Sequence, residues 1–193
     1  MNLTDSITMR RPPGGPCCNM AECTGLVYRP GMPDPVSTSF AGVTWHATTK
    51  AHAPVSPADL PAYLDHALAH ALADGGRFNP PGEFGALYLA LDADTARRES
   101  DAPEVILEID GRLSRIFDLT RPDAQRRCGL TSDELCAGVH EPCRRAGRAL
   151  REEGYEAIRY PSAAGDGINL AVFWDRRQPD SSLWLAGRME PEG

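Results

Sequence analysis

The amino-acid sequence predicts an α+β (mixed α/β) domain, in which a sheet packs against several helices. Runs of β-prone apolar residues indicate strands, and the clearest lie at residues 86–91, 104–110, 156–161 and 168–174. Helical segments lie between these runs, and this order along the chain is typical of a sheet with flanking helices. A chain of 193 residues is long enough to form one such domain around a single core.

Composition divides the chain into three segments. Residues 1–38 contain many prolines and little apolar periodicity, so they are predicted to be largely disordered because they bury too little surface to offset the entropy of ordering. Residues 39–178 are predicted to form the folded domain, with a first strand, AGVTWHATT, that begins near Phe40. Residues 179–193 are predicted to be a polar tail, in which the run LWLAG adds a last edge strand.

Charge and hydropathy exclude two classes of protein. The formal net charge is −7, whereas proteins that bind nucleic acid neutralise phosphates with an excess of lysine and arginine. No window approaches the ~20 apolar residues of a membrane span. The N-terminus also lacks the continuous apolar segment of a secretory signal. The sequence therefore predicts a soluble cytoplasmic protein that binds neither nucleic acid directly nor a membrane.

The first helix is predicted from its ends and its apolar stripe. Ser56 is a favoured N-cap residue and is followed by a proline suited to the first turn, while Gly75 or Gly76 ends the helix. Leucines recur every four residues and form one stripe for the core, at Leu60, Leu64, Leu68 and Leu72. His66 and His70 lie off that stripe, and we interpret them as part of a solvated face rather than as metal ligands.

The next strand alternates strictly between apolar and small or polar positions. Its leucines point into the core, so Tyr88 points to the opposite face, where two flanking alanines leave space around its ring. Asp92 or Asp94 is predicted to cap a short helix that runs through Glu99.

The remaining elements follow from local signals. Residues 104–110 (EVILEID) form a strand, and Thr131 with Glu134 forms a capping box that opens a helical region. A further helix is predicted from about Cys143 until Gly154. The last two full strands are the runs EAIRYP and INLAVFW.

The cysteines do not predict a metal site. None of the six forms the C-x-x-C pair of a zinc ribbon. Cys136, His140 and Cys143 would share one face of a continuous helix, but Pro142 argues against that helix, so these thiols are interpreted as small core residues. Three cysteines in the proline-rich N-terminal segment are interpreted as incidental surface thiols, namely Cys17, Cys18 and Cys23.

Five chemically capable side chains follow one another in an order that favours a shared site. Arg77 lies in GGRFNPPG, a loop that holds its backbone in tight turns. Tyr88 follows it by eleven residues, and Glu99 follows Tyr88 by another eleven. Ser162 lies where a strand leaves the sheet, and Asn169 begins the next strand on the face opposite the core. Each residue alone has an ordinary structural explanation, but together they predict a site at one end of the sheet.

These segments together resemble the RES domain family, which is named for its Arg, Glu and Ser. The resemblance covers about residues 40–175 and rests on GGRFNPPG, the LY strand, the ARRE helix and the ending YPSAAG…GINLAVF, in that order. The catalytic residues of the family would be Arg77, Glu99 and Ser162. The residues that bind NAD⁺ would be Tyr88, Asn169 and His46.

The resemblance implies a fold and an activity. RES proteins are toxins of bacterial toxin–antitoxin pairs, are usually neutralised by an Xre-like antitoxin, and resemble ADP-ribosyltransferase toxins in their twisted sheet core with flanking helices. Known members degrade NAD⁺ by phosphorolysis or hydrolysis, and some are described as ADP-ribosylating a protein. NAD⁺ would then be the substrate and inorganic phosphate a co-substrate, with no metal or resident cofactor required.

The resemblance also implies a role for each residue. Glu99 would stabilise the positive charge that develops on the ribose, Arg77 would hold a phosphate, and Tyr88 would bracket the nicotinamide ring. Ser162 and Asn169 would orient the ribose or the carboxamide. His46 stands where many members carry an arginine, and a histidine holds an anion less firmly. The acceptor therefore stays open between phosphate, water and a protein. A catalytically inactive RES fold that binds a nucleotide or a partner also remains an alternative.

Overall fold

A computed structural model of the protein describes residues 36–100 and 103–190 as a mixed sheet with helices on both faces, which confirms the predicted fold class. The predictions for residues 1–35, including their three cysteines, lie outside the described residues. The described strands are β1 (Ser37–Thr48), β2 (Leu87–Ala90), β3 (Val105–Asp118), β4 (Ala157–Pro161), β5 (Ile168–Val172) and β6 (Ser182–Met189). The described helices are α1 (Leu60–Asp74), α2 (Ala93–Arg98), α3 (Pro122–Cys128), α4 (Ser132–Cys136) and α5 (Glu141–Glu152).

The sheet nearly closes on itself. Its strand order is β1-β2-β5-β4-β3-β6, and β1 also pairs with β3 along most of its length, so five of the strands form a closed circuit. Only β3 and β4 are parallel. The joint between β1 and β2 is a single residue pair, Trp45 with Ala90. This joint is the weakest in the circuit and leaves room for a cavity beside it.

Two hydrophobic clusters cover the two faces of the sheet. Along β5, Leu170 and Val172 belong to one cluster and Ala171 to the other, because successive side chains of a strand point to opposite faces. Helix α1 packs on the first cluster, whereas α3, α4 and α5 pack on the second. The sheet is therefore the middle layer between α1 and the three helices of the second half.

Most predicted elements are confirmed, with shifts at their ends. Ser56 caps a short 3₁₀ turn that leads into α1, and Gly75 ends α1 at a φ of 72°, where glycine carries no steric penalty. The leucine stripe is buried at Leu60 and Leu64 but exposed at Leu72. The capping box before α4 is present, and the run LWLAG does form an edge strand, β6.

Three expectations on element boundaries are wrong. The first strand begins at Ser37, and α2 ends at Arg98, so that Glu99 is its C-cap residue rather than a helical one. Helix α5 begins at Glu141 instead of Cys143, because Pro142 occupies the first turn, where a missing N–H costs nothing. The sequence analysis also missed α3, which is only seven residues long.

Among the described residues, no helix combines the length and apolarity that crossing a bilayer requires.

Helix α5 makes its closest approach to the loop that joins α1 to β2. A Cβ atom on Gly147 would lie 1.9 Å from the carbonyl oxygen of Phe78, so only a glycine allows this packing. One turn earlier, Nε of Arg144 donates a hydrogen bond to the carbonyl of Gly76 at 2.9 Å. The loop that carries Arg77 is therefore fixed against α5 at two points.

We expect Gly147→Ala to lower the free energy of unfolding by about 3 kcal/mol, because the new methyl group overpacks a contact between two backbones. The intrinsic helix preference of alanine, about 1 kcal/mol, offsets only part of this loss. Urea unfolding of the purified variant measures the change. Gly138→Ala is the control, since its Cβ would have no neighbour within 4 Å. Equal stability of the two variants would contradict the contact.

Candidate active site

The position of Glu99 follows from a short and well-capped helix. Asp92 is the N-cap of α2, where its Oδ1 accepts the backbone N–H of Thr95 and its Oδ2 accepts the Thr95 hydroxyl, both at 2.7 Å. Helix α2 comes two residues after β2 and is six residues long. Glu99 therefore lies beside the end of β2, close to the strands that pair with it.

Glu99 is held through one oxygen of its carboxylate. Its Oε1 accepts the hydroxyl of Ser162 at 2.5 Å and the amide Nδ2 of Asn169 at 2.7 Å. Both donors are buried, whereas Glu99 is exposed. Oε2 has no hydrogen-bond partner among residues 36–100 and 103–190. One oxygen thus fixes the carboxylate, and the other keeps its full capacity to accept.

The hydroxyl of Ser162 is oriented by its own turn. Its Oγ accepts the backbone N–H of Ala164 at 2.9 Å, so its proton is left to point at Glu99. The backbone N–H of Ser162 donates to the carbonyl of Gly167 at 2.8 Å and closes the turn between β4 and β5. Glu99 and Ser162, distant in sequence and assigned to one predicted site, are therefore joined by a direct hydrogen bond.

Strand register places a further residue in this group, Tyr160. Ala90, Asn169 and Tyr160 are direct neighbours across β2, β5 and β4, so their side chains share one face. Burial raises the pKa of Tyr160, with Tyr88 and Glu99 adding to the shift, and Arg77 and a hydrogen bond with Asn169 opposing it. Sequence reasoning missed Tyr160, because a tyrosine in a strand before a turn has no distinguishing spacing.

Arg77 is held by backbone carbonyls of a neighbouring helix. Its Nη1 donates to the backbone carbonyls of Leu135 at 2.6 Å and Ala137 at 2.9 Å, at the end of α4. Arg77 does not bond Glu99 or Ser162 directly. The loop that carries Arg77 reaches their strands through Phe78, whose ring packs on that of Tyr160 with the centroids 4.7 Å apart.

Tyr88 holds the Arg77 loop with its hydroxyl. The hydroxyl donates to Oδ1 of Asn79 at 2.8 Å and accepts the backbone N–H of Phe78 at 2.9 Å. A Cβ on Gly76 would lie 2.4 Å from the same hydroxyl, which explains the second glycine of the loop. Burial raises the pKa of Tyr88 to about 12, so its hydroxyl stays protonated at neutral pH. The hydroxyl is thus engaged within the protein, while the ring borders open space.

His46 lies at the boundary between two cavities. Its Nδ1 donates to the backbone carbonyl of Tyr88 at 2.6 Å, so in the neutral ring the proton is on Nδ1 and Nε2 is an acceptor. Burial lowers the pKa of His46, and the bond to Tyr88 opposes that shift only in part. A cavity of about 100 Å³ lies beside Glu99 and Asn169, and one of about 300 Å³ lies toward α1. Both are lined by His46 and Tyr88.

The metal-binding alternatives have no support among the described residues. There, no group of three or more histidine, cysteine or acidic side chains has a geometry that could hold a metal ion. His66 and His70 are exposed, and His70 instead contacts Asp74 at 2.8 Å. Cys143 is buried, as predicted for a core thiol, but Cys136 is exposed, so its interpretation as a core residue is wrong. The two cysteines belong to separate helices, α5 and α4.

Comparison with known proteins gives three findings. The model of the RES domain family matches residues 45–186. Two curated relatives, each named NAD(+) phosphorylase MbcT and found in Mycobacterium bovis and Mycobacterium tuberculosis, are 31% identical over 120 residues. That match covers 54% of this chain and 64% of the relatives' own length.

A solved structure has a similar fold. It is the crystal structure of the M. tuberculosis MbcT–MbcA toxin–antitoxin complex, with a TM-score of 0.61 at 21% identity. The similarity covers 80% of this chain and 86% of the other.

We expect Tyr88→Phe to lower the free energy of unfolding by about 1–3 kcal/mol, because the buried Oδ1 of Asn79 and the N–H of Phe78 lose their partner. Thermal or urea unfolding measures the loss. Tyr63→Phe is the comparison, since its hydroxyl bonds Thr48 rather than the Arg77 loop. If hydrogen exchange at Phe78 is unchanged in Tyr88→Phe, the hydroxyl does not hold the loop.

Proposed function

The chain belongs to the RES domain family, and we propose that it cleaves NAD⁺ at the bond between nicotinamide and ribose. The observation that carries this proposal is the carboxylate of Glu99, with one oxygen fixed by Ser162 and Asn169 and the other unoccupied beside a cavity. A carboxylate held in this way can stabilise positive charge on a sugar without reorganising during the reaction.

The chemistry asks little of the enzyme beyond positioning and electrostatic stabilisation. When the C–N glycosidic bond breaks, the bonding electrons go to nicotinamide, which leaves as a neutral molecule, and the ribose carbon becomes an oxocarbenium ion. Oε2 of Glu99 accepts a ribose hydroxyl and stabilises this cation. An acceptor then attacks the same carbon. Phosphate as acceptor gives ADP-ribose phosphate, and water gives ADP-ribose and a proton.

Other residues of the site position the substrate. The ring of Tyr88 lines both cavities and would flank the nicotinamide. Nε2 of neutral His46 is free to accept a hydrogen bond from a ribose hydroxyl or from an attacking water. Arg77 supplies positive charge on the α4 side for a phosphate group. No metal and no resident cofactor has a part in this scheme, in which NAD⁺ is the substrate.

The biological setting follows from the same comparisons. The relatives' name and the complex of MbcT with MbcA support a toxin that is neutralised by an antitoxin protein, which we expect to be Xre-like. Because NAD⁺ is the proposed target, we propose a cytoplasmic site of action. The nearly closed sheet is also what we would expect of an ADP-ribosyltransferase-like core.

We expect Glu99→Gln to reduce NAD⁺ cleavage by about 100-fold or more, because the neutral amide no longer stabilises the cation. The amide oxygen of the glutamine can still accept from Ser162 and Asn169, so the fold should be retained. Product release is followed by chromatography of nicotinamide. Glu152→Gln, an exposed acid on α5, is the control and should keep full activity. An active Glu99→Gln protein would rule out this role.

The acceptor is identified by the products. If phosphate is the acceptor, the wild-type protein converts NAD⁺ to nicotinamide and ADP-ribose phosphate, at a rate that rises with phosphate concentration. Formation of ADP-ribose at a rate independent of phosphate would indicate hydrolysis. Labelling of a protein with ADP-ribose would indicate a transferase. If a folded protein leaves NAD⁺ intact with phosphate, without phosphate and with a protein acceptor, only the inactive, nucleotide-binding alternative remains.

A further inference from the structure

Arg77 is one member of a positive cluster that no carboxylate of the described residues neutralises. Arg144 on α5 donates through Nε to the carbonyl of Gly76, the residue directly before Arg77. His140 directly precedes α5, and its carbonyl accepts the backbone N–H of Arg144 at 2.8 Å. Nη1 of Arg77 donates to the carbonyl of Ala137, three residues before His140. Burial lowers the pKa of His140, and the two arginines lower it further. The two guanidinium groups and the imidazole therefore lie together, although they belong to a loop and to the start of α5.

The cluster lacks a counter-ion among the described residues. Neither Arg77 nor Arg144 forms an ion pair there, whereas Arg148, one turn along α5, is paired with Glu83 at 2.8 Å. The chain has an excess of acidic over basic residues, so this vacancy does not reflect a shortage of carboxylates. The carboxylate of Glu134 instead accepts the backbone N–H and the hydroxyl of Thr131. Like charges held together at partly buried positions destabilise the fold unless an anion compensates them.

The guanidinium groups are fixed in a way that leaves donors for a ligand. Arg77 is held through Nη1 by two carbonyls, and Arg144 through Nε by one. Nη1 and Nη2 of Arg144 have no hydrogen-bond partner in the described part of the chain. Both side chains are partly exposed. Two forked donors anchored on the backbone suit an anion with several acceptor oxygens, as in a phosphate group.

The cluster is also adjacent to the proposed site of bond cleavage. Phe78, the residue after Arg77, donates its N–H to the hydroxyl of Tyr88 at 2.9 Å, and Tyr88 lines the same cavity as Glu99. We propose that Arg77, Arg144 and His140 form a binding subsite for a phosphate group. This inference rests on the proposed function, because the bound phosphate would be either the free acceptor or part of the pyrophosphate of NAD⁺.

The first test measures binding and needs no turnover. Inorganic phosphate and, separately, ADP-ribose are titrated into the wild-type protein by calorimetry, and into Arg144→Gln and Arg145→Gln. Arg145 is exposed on the same helix and serves as the matched control. We expect Arg144→Gln to weaken binding of at least one ligand by about tenfold or more, because the variant loses a forked, charged hydrogen-bond donor. Arg145→Gln should leave binding unchanged.

A second measurement avoids any disturbance of the fold by Arg144→Gln. The titration of the His140 imidazole is followed by NMR in the wild-type protein, with the signal assigned from His140→Gln. The groups that lower its pKa electrostatically are Arg77 from the loop and Arg144 from α5, so a bound anion must raise that pKa. Chloride at matched ionic strength is the control.

The outcomes separate the two sources of phosphate and the two proposals. An upward shift with inorganic phosphate supports a subsite for the free acceptor, whereas a shift with ADP-ribose alone supports a subsite for the pyrophosphate. If neither ligand shifts His140, or if Arg144→Gln binds both as well as wild type, the subsite is refuted. If phosphate binds there but NAD⁺ stays intact, the subsite stands and the proposed activity fails.

Discussion

The loop of residues 75–79 is clamped from two sides, and the rest of the site depends on that clamp. On one side the hydroxyl of Tyr88 reaches from the sheet to Asn79 and to the N–H of Phe78. On the other side Gly147 lets α5 meet the carbonyl of Phe78 directly. Each contact depends on a glycine, Gly76 for the first and Gly147 for the second, because even a Cβ atom there would clash. The guanidinium of Arg77 is therefore positioned by backbone packing, not by an ionic partner.

The other half of the site is positioned by strand register. Asn169 faces Ala90 on one neighbouring strand and Tyr160 on the other, so the amide that fixes Glu99 stands in the middle of a row. A one-residue slip of β5 would turn Asn169 into the opposite core cluster and leave the carboxylate with Ser162 alone. The two halves meet at Tyr88 and Tyr160: the hydroxyl of Tyr88 accepts the N–H of Phe78, and the ring of Tyr160, which neighbours Asn169, packs on the ring of Phe78.

The sequence was sufficient to predict the fold class and most of the helices and strands, but not the contacts that depend on three dimensions. Alternation in β2 and the N-cap at Asp92 are local signals, so the position of Tyr88 and the start of α2 were predictable. The hydrogen bond between Glu99 and Ser162 was accessible only through the family resemblance. Tyr160 and Arg144 were missed because each is placed by a neighbour far along the chain: Tyr160 by strand pairing, Arg144 by the packing of α5 on the loop.

The position of His46 bears differently on the acceptor once the positive cluster is considered. A histidine in the first strand, where many RES proteins carry an arginine, argues against an anion at that position, and burial lowers its pKa further. However, Tyr88 interacts with both sides of the site. Its backbone carbonyl holds His46, while the hydroxyl of the same tyrosine lies near Arg77 and Arg144. The positive charge is therefore concentrated on the α5 side of Tyr88, and the neutral acceptor Nε2 lies on the β1 side. Such a division suits a dinucleotide whose phosphates and sugar hydroxyls need opposite partners, and it removes the histidine as an argument against phosphate.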